Sequence, residues 1–396
     1  MVLVVGSGAG GATLARELAI RGIDVTVIER GPCVKDSDAF LCYDEAPDVD
    51  ILRTSCAGGS TLVAAGNAVR VLENTLKDYG VDITEDLHAI EAELRVGELP
   101  DTHTGRGTAL IMDAAESLGL GVRKMPKFID PDKCRPCGKC SFGCPRAAKW
   151  SARRFLDEAI EHGAVLIEET EAKNIIVRNG SVSGLKTSRG DFHDETVVLA
   201  AGAIETPRIL MRAGIDAGNG LFMDTFVTVG GILEGVGFCD EVQMNALIEL
   251  DGVILSPHFS TLLFPEDDRR NVLGIMVKIA DERSGRVEAD RIVKHHTGRD
   301  ISLLSGGAAI AGSILSRAGV GAGTLRSTGP RGAHPGGTAS LGEVVDENLE
   351  TSIEGLFVAD ASVLPEAPGA PPILTIMALA RRLARHIVSG HIVSVL

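Results

Sequence analysis

Four cysteines in the run Cys134-x-x-Cys137-x-x-Cys140-x-x-x-Cys144, closed by Pro145, make the sharpest local pattern in this 396-residue chain. That spacing lets one short loop fold its thiolates round a single iron–sulfur cube, and the trailing proline matches ferredoxin runs. Lys133, Arg135, Lys139 and Arg146 flank the run and would offset the negative charge of thiolates and cluster. Zinc is the competing ligand, although structural zinc sites usually split their cysteines into two separated knuckles, and unligated thiols are the third reading. Nuclearity stays open. Cys144 completes a [4Fe–4S] cluster, or a remote Cys33, Cys42, Cys56 or Cys239 does, or the cluster is [3Fe–4S].

A second constellation is built for phosphate. Gly6-Ser7-Gly8-Ala9-Gly10-Gly11 follows the apolar run Val2–Val5 and opens a helix. Gly6 permits a tight turn, Gly8 lets the backbone approach a pyrophosphate, and Gly11 lets helix pack on strand. The helix start at Ala9 and Gly10 offers N–H groups and a positive dipole end to the phosphates. Glu29 ends the next strand at the spacing where a carboxylate meets ribose hydroxyls. Two further stretches favour FAD over NAD. Gly58, Gly59, Ser60 and Thr61, with Asn67 downstream, supply a flexible loop with hydroxyls for close contact with a flavin. Asp360, followed by Ala361, ends the apolar run 355–359 and is placed either to meet a ribityl chain or simply to cap its own turn.

At four places in order the chain resembles the glucose–methanol–choline oxidoreductases: Gly6 to Gly11 with Glu29, the 58–67 loop, Gly202-Ala203-Ile204-Glu205-Thr206-Pro207, and 334–380. Together they span almost the whole chain. The resemblance implies FAD, held covalently or not, in a Rossmann-like domain, with a separate substrate domain on an antiparallel sheet. It places Ala201, Gly202 and Ala203 beside the FAD and Asp360 in contact with it. It also implies the base. Oxidising an alcohol removes the hydroxyl proton as the carbon gives up hydride, and an imidazole titrating near neutrality suits that step. In the segment His334-Pro335-Gly336-Gly337-Thr338 the family's base corresponds to His334. The chain is shorter than most members, so trimmed active-site loops are expected.

One position departs from the pattern. Where the family usually carries His or Asn before a proline, this chain has Pro371, which offers neither a side-chain donor nor a backbone N–H. His334 then acts alone, or another group substitutes, or the reaction differs; His295 and His296 are candidates on chemistry alone. A flavin takes two electrons as hydride and a cluster passes them singly, so the pairing suits a dehydrogenase that exports electrons to a carrier protein or quinone. The leading expectation is an FAD-dependent oxidoreductase acting on the CH–OH group of an alcohol or polyol. A reductase of a carbonyl or C=C running the same path backwards is the second, and an electron-transfer subunit without substrate chemistry the third.

These groups need elements to position them. A β–turn–α–β start (Val2–Val5, a helix near 12–21, a strand near 25–29) is followed by a mostly helical stretch over 73–125. The cysteine loop comes next, then a helix over 151–162, a strand near 164–168, a hairpin about Asn179 and Gly180, and a buried strand near 197–200. From about 220 to 300 the pattern turns to β segments, Ala246–Leu250, 253–256 and Val272–Ile279, closed by a helix over 303–318. This reads as α/β: a Rossmann-like FAD-binding domain from 1–72, 145–219 and 330–396, a helical insertion with the cysteine loop at 73–144, and a substrate domain with an antiparallel sheet at 220–329. Hydrophobic content of 44% with 47 glycines fits such a protein. A formal charge of −15 argues against nucleic acid or anionic membrane as partner. No apolar run reaches the length of a membrane span, the N-terminus reads as a core strand rather than a leader, and cytoplasmic location is the expectation.

Overall fold

The tetrads Val2–Val5 and Val25–Ile28, apolar except for Thr26, are buried throughout and pair in parallel, Val2 opposite Val25. Being covered on both faces, they read as near-continuous hydrophobic runs rather than alternating ones. In the computed structural model, which describes residues 1–44 and 48–395, they belong to a five-stranded parallel sheet. Its order is Leu356–Val358, Val197–Leu199, Val2–Val5, Val25–Ile28, Val165–Ile167, so strands far apart in sequence become neighbours. The chain leaves Val2–Val5 toward Val25–Ile28 on one side and finds Val197–Leu199 on the other. That divergence opens a crevice at the carboxyl ends of the strands, where open α/β sheets bind ligands.

The helix Ala9–Ile20 covers the sheet and packs against helices Ala152–Glu161 and Ile373–Val395. Arg16 clips this layer to Glu93 and Glu158, and Arg385 of the last helix forms a paired contact with buried Asp86 of helix Thr84–Leu94.

The second sheet is antiparallel and six-stranded: Arg326–Ser327, Phe226–Ile232, Val272–Ile279, Val253–Pro257, Ala246–Leu250 and Val122–Lys124. Side chains alternate along each strand, and this decides what the sheet presents to each side. Ile275, Val277 and Ile279 share a core with helix Gly298–Arg317, while Met276 and Lys278 line the cavity on the opposite face. The α/β expectation of a parallel sheet joined to an antiparallel one is met.

Two details differ from the sequence reading. The stretch expected to be mostly helical ends in the strand Val122–Lys124, which pairs with Ala246–Leu250; three residues are too short for alternation to register, and the ladder partner is remote in sequence. The helix expected over 303–318 starts earlier, at Gly298. Thr297 accepts from the Asp300 N–H while the Asp300 carboxylate accepts from the Thr297 N–H, a capping box that starts the helix ahead of its apolar stripe. Thr297→Ala should therefore cost about 1 kcal/mol, read as an earlier denaturant midpoint, whereas Thr297→Ser should stay near wild type. Equal midpoints for all three proteins would show that the cap carries nothing.

Candidate active site

The crevice holds a cavity of about 340 Å³. Its lining includes Gly6, Gly8, Ala9, Gly10, Glu29, Gly59, Ser60, Asn67, Ala201, Gly202, Ala203, Asp360, Ala361 and His334, brought together from across the chain. Two expected cofactor residues lie behind this wall: Gly58 donates its N–H to Ser7 Oγ at 3.0 Å, and Gly11 packs on the Gly6 carbonyl.

The helix Ala9–Ile20 begins at Gly8 without a side-chain cap, so its first N–H groups face the cavity end unclaimed by a capping residue. Gly8 has φ −68°, and a Cβ there would meet nothing within 4 Å, so the space beside it is open. Gly10 is the opposite case, because a Cβ would fall 1.6 Å from the Ala359 carbonyl oxygen. Glu29 is buried and already employed. It accepts from the Ser7 N–H at 3.0 Å, from Ser7 Oγ at 2.7 Å and from the Gly31 N–H at 2.8 Å. Burial raises its carboxyl above the ordinary range against the pull of these donors. Asp360 caps its own turn through the Ser362 N–H (2.8 Å) and also accepts from the Gly202 N–H (2.9 Å) and Thr206 Oγ1 (2.6 Å). Both carboxylates thus shape the cavity wall by bracing neighbouring loops. The cradle and the free helix start fit a dinucleotide, with Arg212 on the same wall and Arg30 and Arg53 paired there with Asp44 and Glu205.

At the far end stands His334. Its backbone N–H donates to the Met223 carbonyl at 3.0 Å, and the bridges Phe222–Gly336 and Phe226–Arg331 zip its loop to the segment entering the second sheet. The imidazole Nδ1 lies 2.8 Å from Asp224 Oδ2 and 3.2 Å from Lys278 Nζ. Asp224 is fully buried and takes a second bond from the Gly369 N–H at 2.9 Å. Asp281 accepts from the Met223 and Thr225 N–H groups at 3.1 and 3.2 Å, which holds Asp224 between them at φ 47°. Burial, then the Lys278 charge, pushes the His334 imidazole well below its ordinary range. Burial brings Lys278 down to about 8 against the attraction of Asp224 and Asp281, and raises Asp224.

Sequence reading missed Asp224, Lys278 and His258. His258 lines the same cavity, bonds Thr228 Oγ1 at 3.0 Å, and is held down to about 4 by burial and by Lys278 and Arg331. A lysine in the otherwise apolar strand Val272–Ile279 was the signal available for Lys278; Asp224 and His258 carried none. His295 and His296 are not among the residues lining the cavity. A second cavity of about 490 Å³ shares Lys278, Met244, Met276 and Pro371 with the first, and Val69, Val71, Met125, Leu247 and Ile254 give it an apolar wall.

Cys134, Cys137, Cys140 and Cys144 surround one hollow of about 30 Å³. Among the described residues, no three His, Cys, Asp or Glu side chains converge tightly enough to hold a metal ion. Two buried lysines sit beside the thiols. Lys127 donates to Asn67 Oδ1 at 2.6 Å and to the Gln243 carbonyl at 2.8 Å; Lys149 donates to the Leu62 carbonyl at 2.8 Å and the Cys140 carbonyl at 3.3 Å. Burial lowers them to about 7 and about 8, with Cys140 pulling each the other way. Ser141 also lines the first cavity, and its carbonyl accepts from Tyr43 Oη at 2.8 Å.

Residues 2–234 match the N-terminal sequence profile of the GMC oxidoreductases and residues 296–380 the C-terminal one. An uncharacterised protein of Methanocaldococcus jannaschii is 36% identical, covering 97% of this chain and 98% of its own. A long-chain-alcohol oxidase of Arabidopsis thaliana is 24% identical, covering 98% of this chain and 68% of the relative. Among solved structures, an FAD-containing formate oxidase of Aspergillus oryzae superposes with a TM-score of 0.78 at 16% identity, over 98% of both chains. Among the described residues, no helix is long and apolar enough to cross a membrane.

Gly8→Ala should fold as the parent does yet bind FAD at least tenfold more weakly, about 1.4 kcal/mol, because the new methyl occupies cofactor space. Gly10→Ala should lose both flavin and thermal stability. Flavin per chain and the melting of the stripped protein separate the two, and full FAD retention in Gly8→Ala would remove the pyrophosphate from this loop.

Proposed function

The chain belongs to the GMC oxidoreductase family, and from that premise we propose that it oxidises the CH–OH group of a small, largely apolar alcohol with FAD as cofactor and His334 as base. One observation carries the reading: the glycine loop and an imidazole hydrogen-bonded to a buried carboxylate open into the same cavity. FAD, when bound, supplies the acceptor for hydride leaving the substrate carbon. The residues 6–10, 59–61, 200–203 and 360–361 would hold it. His334 takes the hydroxyl proton on Nε2, since Nδ1 is engaged by Asp224. Met244, Met276 and the apolar wall of the adjoining cavity would exclude water and seat the carbon skeleton. The alcohol oxidase among the relatives supports the substrate class.

The cysteine loop is proposed as the seat of an iron–sulfur cluster that relays electrons to a carrier protein or quinone. What supports this is placement. Four thiols share one hollow, two buried lysines lie beside them, and Ser141, next to Cys140, forms part of the cofactor wall. A cube spreads its thiolates round a volume instead of gathering them on a point.

His334→Ala should keep its flavin but lose substrate-driven bleaching of the flavin band by 10²-fold or more under anaerobic conditions; bleaching at the parental rate would remove the base from the scheme. Anaerobically purified protein should carry iron and acid-labile sulfide with a broad visible shoulder, both lost in Cys140→Ser. Zinc in place of iron, or no metal at all, would end the electron-export reading.

A further inference from the structure

Pro371 leaves the site without a second titratable partner on the C-terminal segment, yet His334 is not alone. Two groups of opposite charge, both from the antiparallel half, meet its Nδ1: the Asp224 carboxylate at 2.8 Å and the Lys278 ammonium at 3.2 Å. One nitrogen cannot serve both. It either carries a proton and donates to Asp224, leaving the Nε2 lone pair free, or it accepts from Lys278 and Nε2 carries the proton. The surroundings favour the first state. Asp224 is fully buried with one oxygen filled by the Gly369 N–H, so its other oxygen has a strong claim on the Nδ1 proton.

We propose that Asp224 and Lys278 are the positioning pair of this site, Asp224 holding His334 as the Nδ1–H tautomer and Lys278 supplying the positive charge that keeps the imidazole unprotonated until an alcohol proton arrives. The assignment rests on His334 being the base. The proton transfer balances between substrate and imidazole, while bound FAD would accept the hydride that leaves the same carbon. The alcohol O–H bond breaks, an Nε2–H bond forms, and the resulting imidazolium is stabilised by Asp224 while Lys278 repels it. The proton therefore leaves to water once the carbonyl product departs. Lys278 and Pro371 line both cavities.

Among the described residues, Asp281 faces Lys278 but is paired with buried Lys294 at 2.6 Å, and His258, just beyond strand Val253–Pro257, is pushed down by burial and by Lys278 and Arg331. The push of burial and of the Lys278 charge on the His334 imidazole, both downward, accords with this arrangement. Removing the ammonium therefore has a defined sign: the imidazole is protonated more readily. Removing the carboxylate has the opposite sign.

The test is the pH dependence of flavin reduction by alcohol, measured anaerobically on holoenzyme. Wild type should show an acid limb below the usual histidine range. Lys278→Met should move that limb upward by about one pH unit or more. Lys278→Arg, which keeps the charge, should leave it in place. Asp224→Asn should move the acid limb down and slow reduction at least tenfold. An acid limb that stays in place in Lys278→Met and in Asp224→Asn while only the amplitude falls would overturn the proposal, as that is what a purely structural role produces. If Asp224→Asn fails to fold, the two Lys278 variants decide. Activity surviving in His334→Ala would instead overturn the underlying reading of the base.

Discussion

A buried carboxylate must fill its lone pairs or cost several kcal/mol, and Asp224 does so by tying three parts of the chain to one point. It stands at the entrance to strand Phe226–Ile232 and takes the Gly369 N–H from the loop before the last helix. It also engages His334 on the return loop between the two sheets. Asp281, itself paired with buried Lys294, holds the flanking N–H groups and so keeps Asp224 in its left-handed conformation. The crevice of the first sheet thereby meets the face of the second that carries Met276 and Lys278.

The same logic recurs around the cysteines. Lys127 and Lys149 are fully enclosed, yet each finds a ring of acceptors, mostly backbone carbonyls from the 61–67 loop and the segments around it. These bonds fasten the 59–67 wall of the cofactor cavity to the cysteine loop, which explains why Ser141 reaches the cavity at all. Both lysines titrate lower than usual because burial outweighs their neighbours, and negative charge on the thiols would draw them back toward the ordinary ammonium range. The cysteine loop is coupled to the cofactor wall mechanically, through hydrogen bonds, and electrostatically, through charge.

Much of this was legible from one dimension. The turn at Gly6 to Gly11, the parallel start, the hairpin at Asn179 and Gly180 and the antiparallel pattern over 246–279 all rest on local rules, in which neighbours in sequence are neighbours in space. So does the cysteine run, whose four thiols reach one hollow because they lie on one short loop. The short strand Val122–Lys124 and the early start of helix Gly298–Arg317 were lost for want of length or of a recognised cap, not for want of information.

The partners of His334 are of another kind. Asp224 is 110 residues from His334 and Lys278 is 56, and neither carries a motif. They meet because the antiparallel sheet places residue 278 on its cavity face by alternation and because the 222–226 segment zips against 331–336. Types and spacings in the chain determined a nucleotide crevice, a candidate base and a thiol cluster, since each is written within a few residues. Which charges surround that base was decided by tertiary structure, because pairing across a sheet depends on register and burial that no local pattern records.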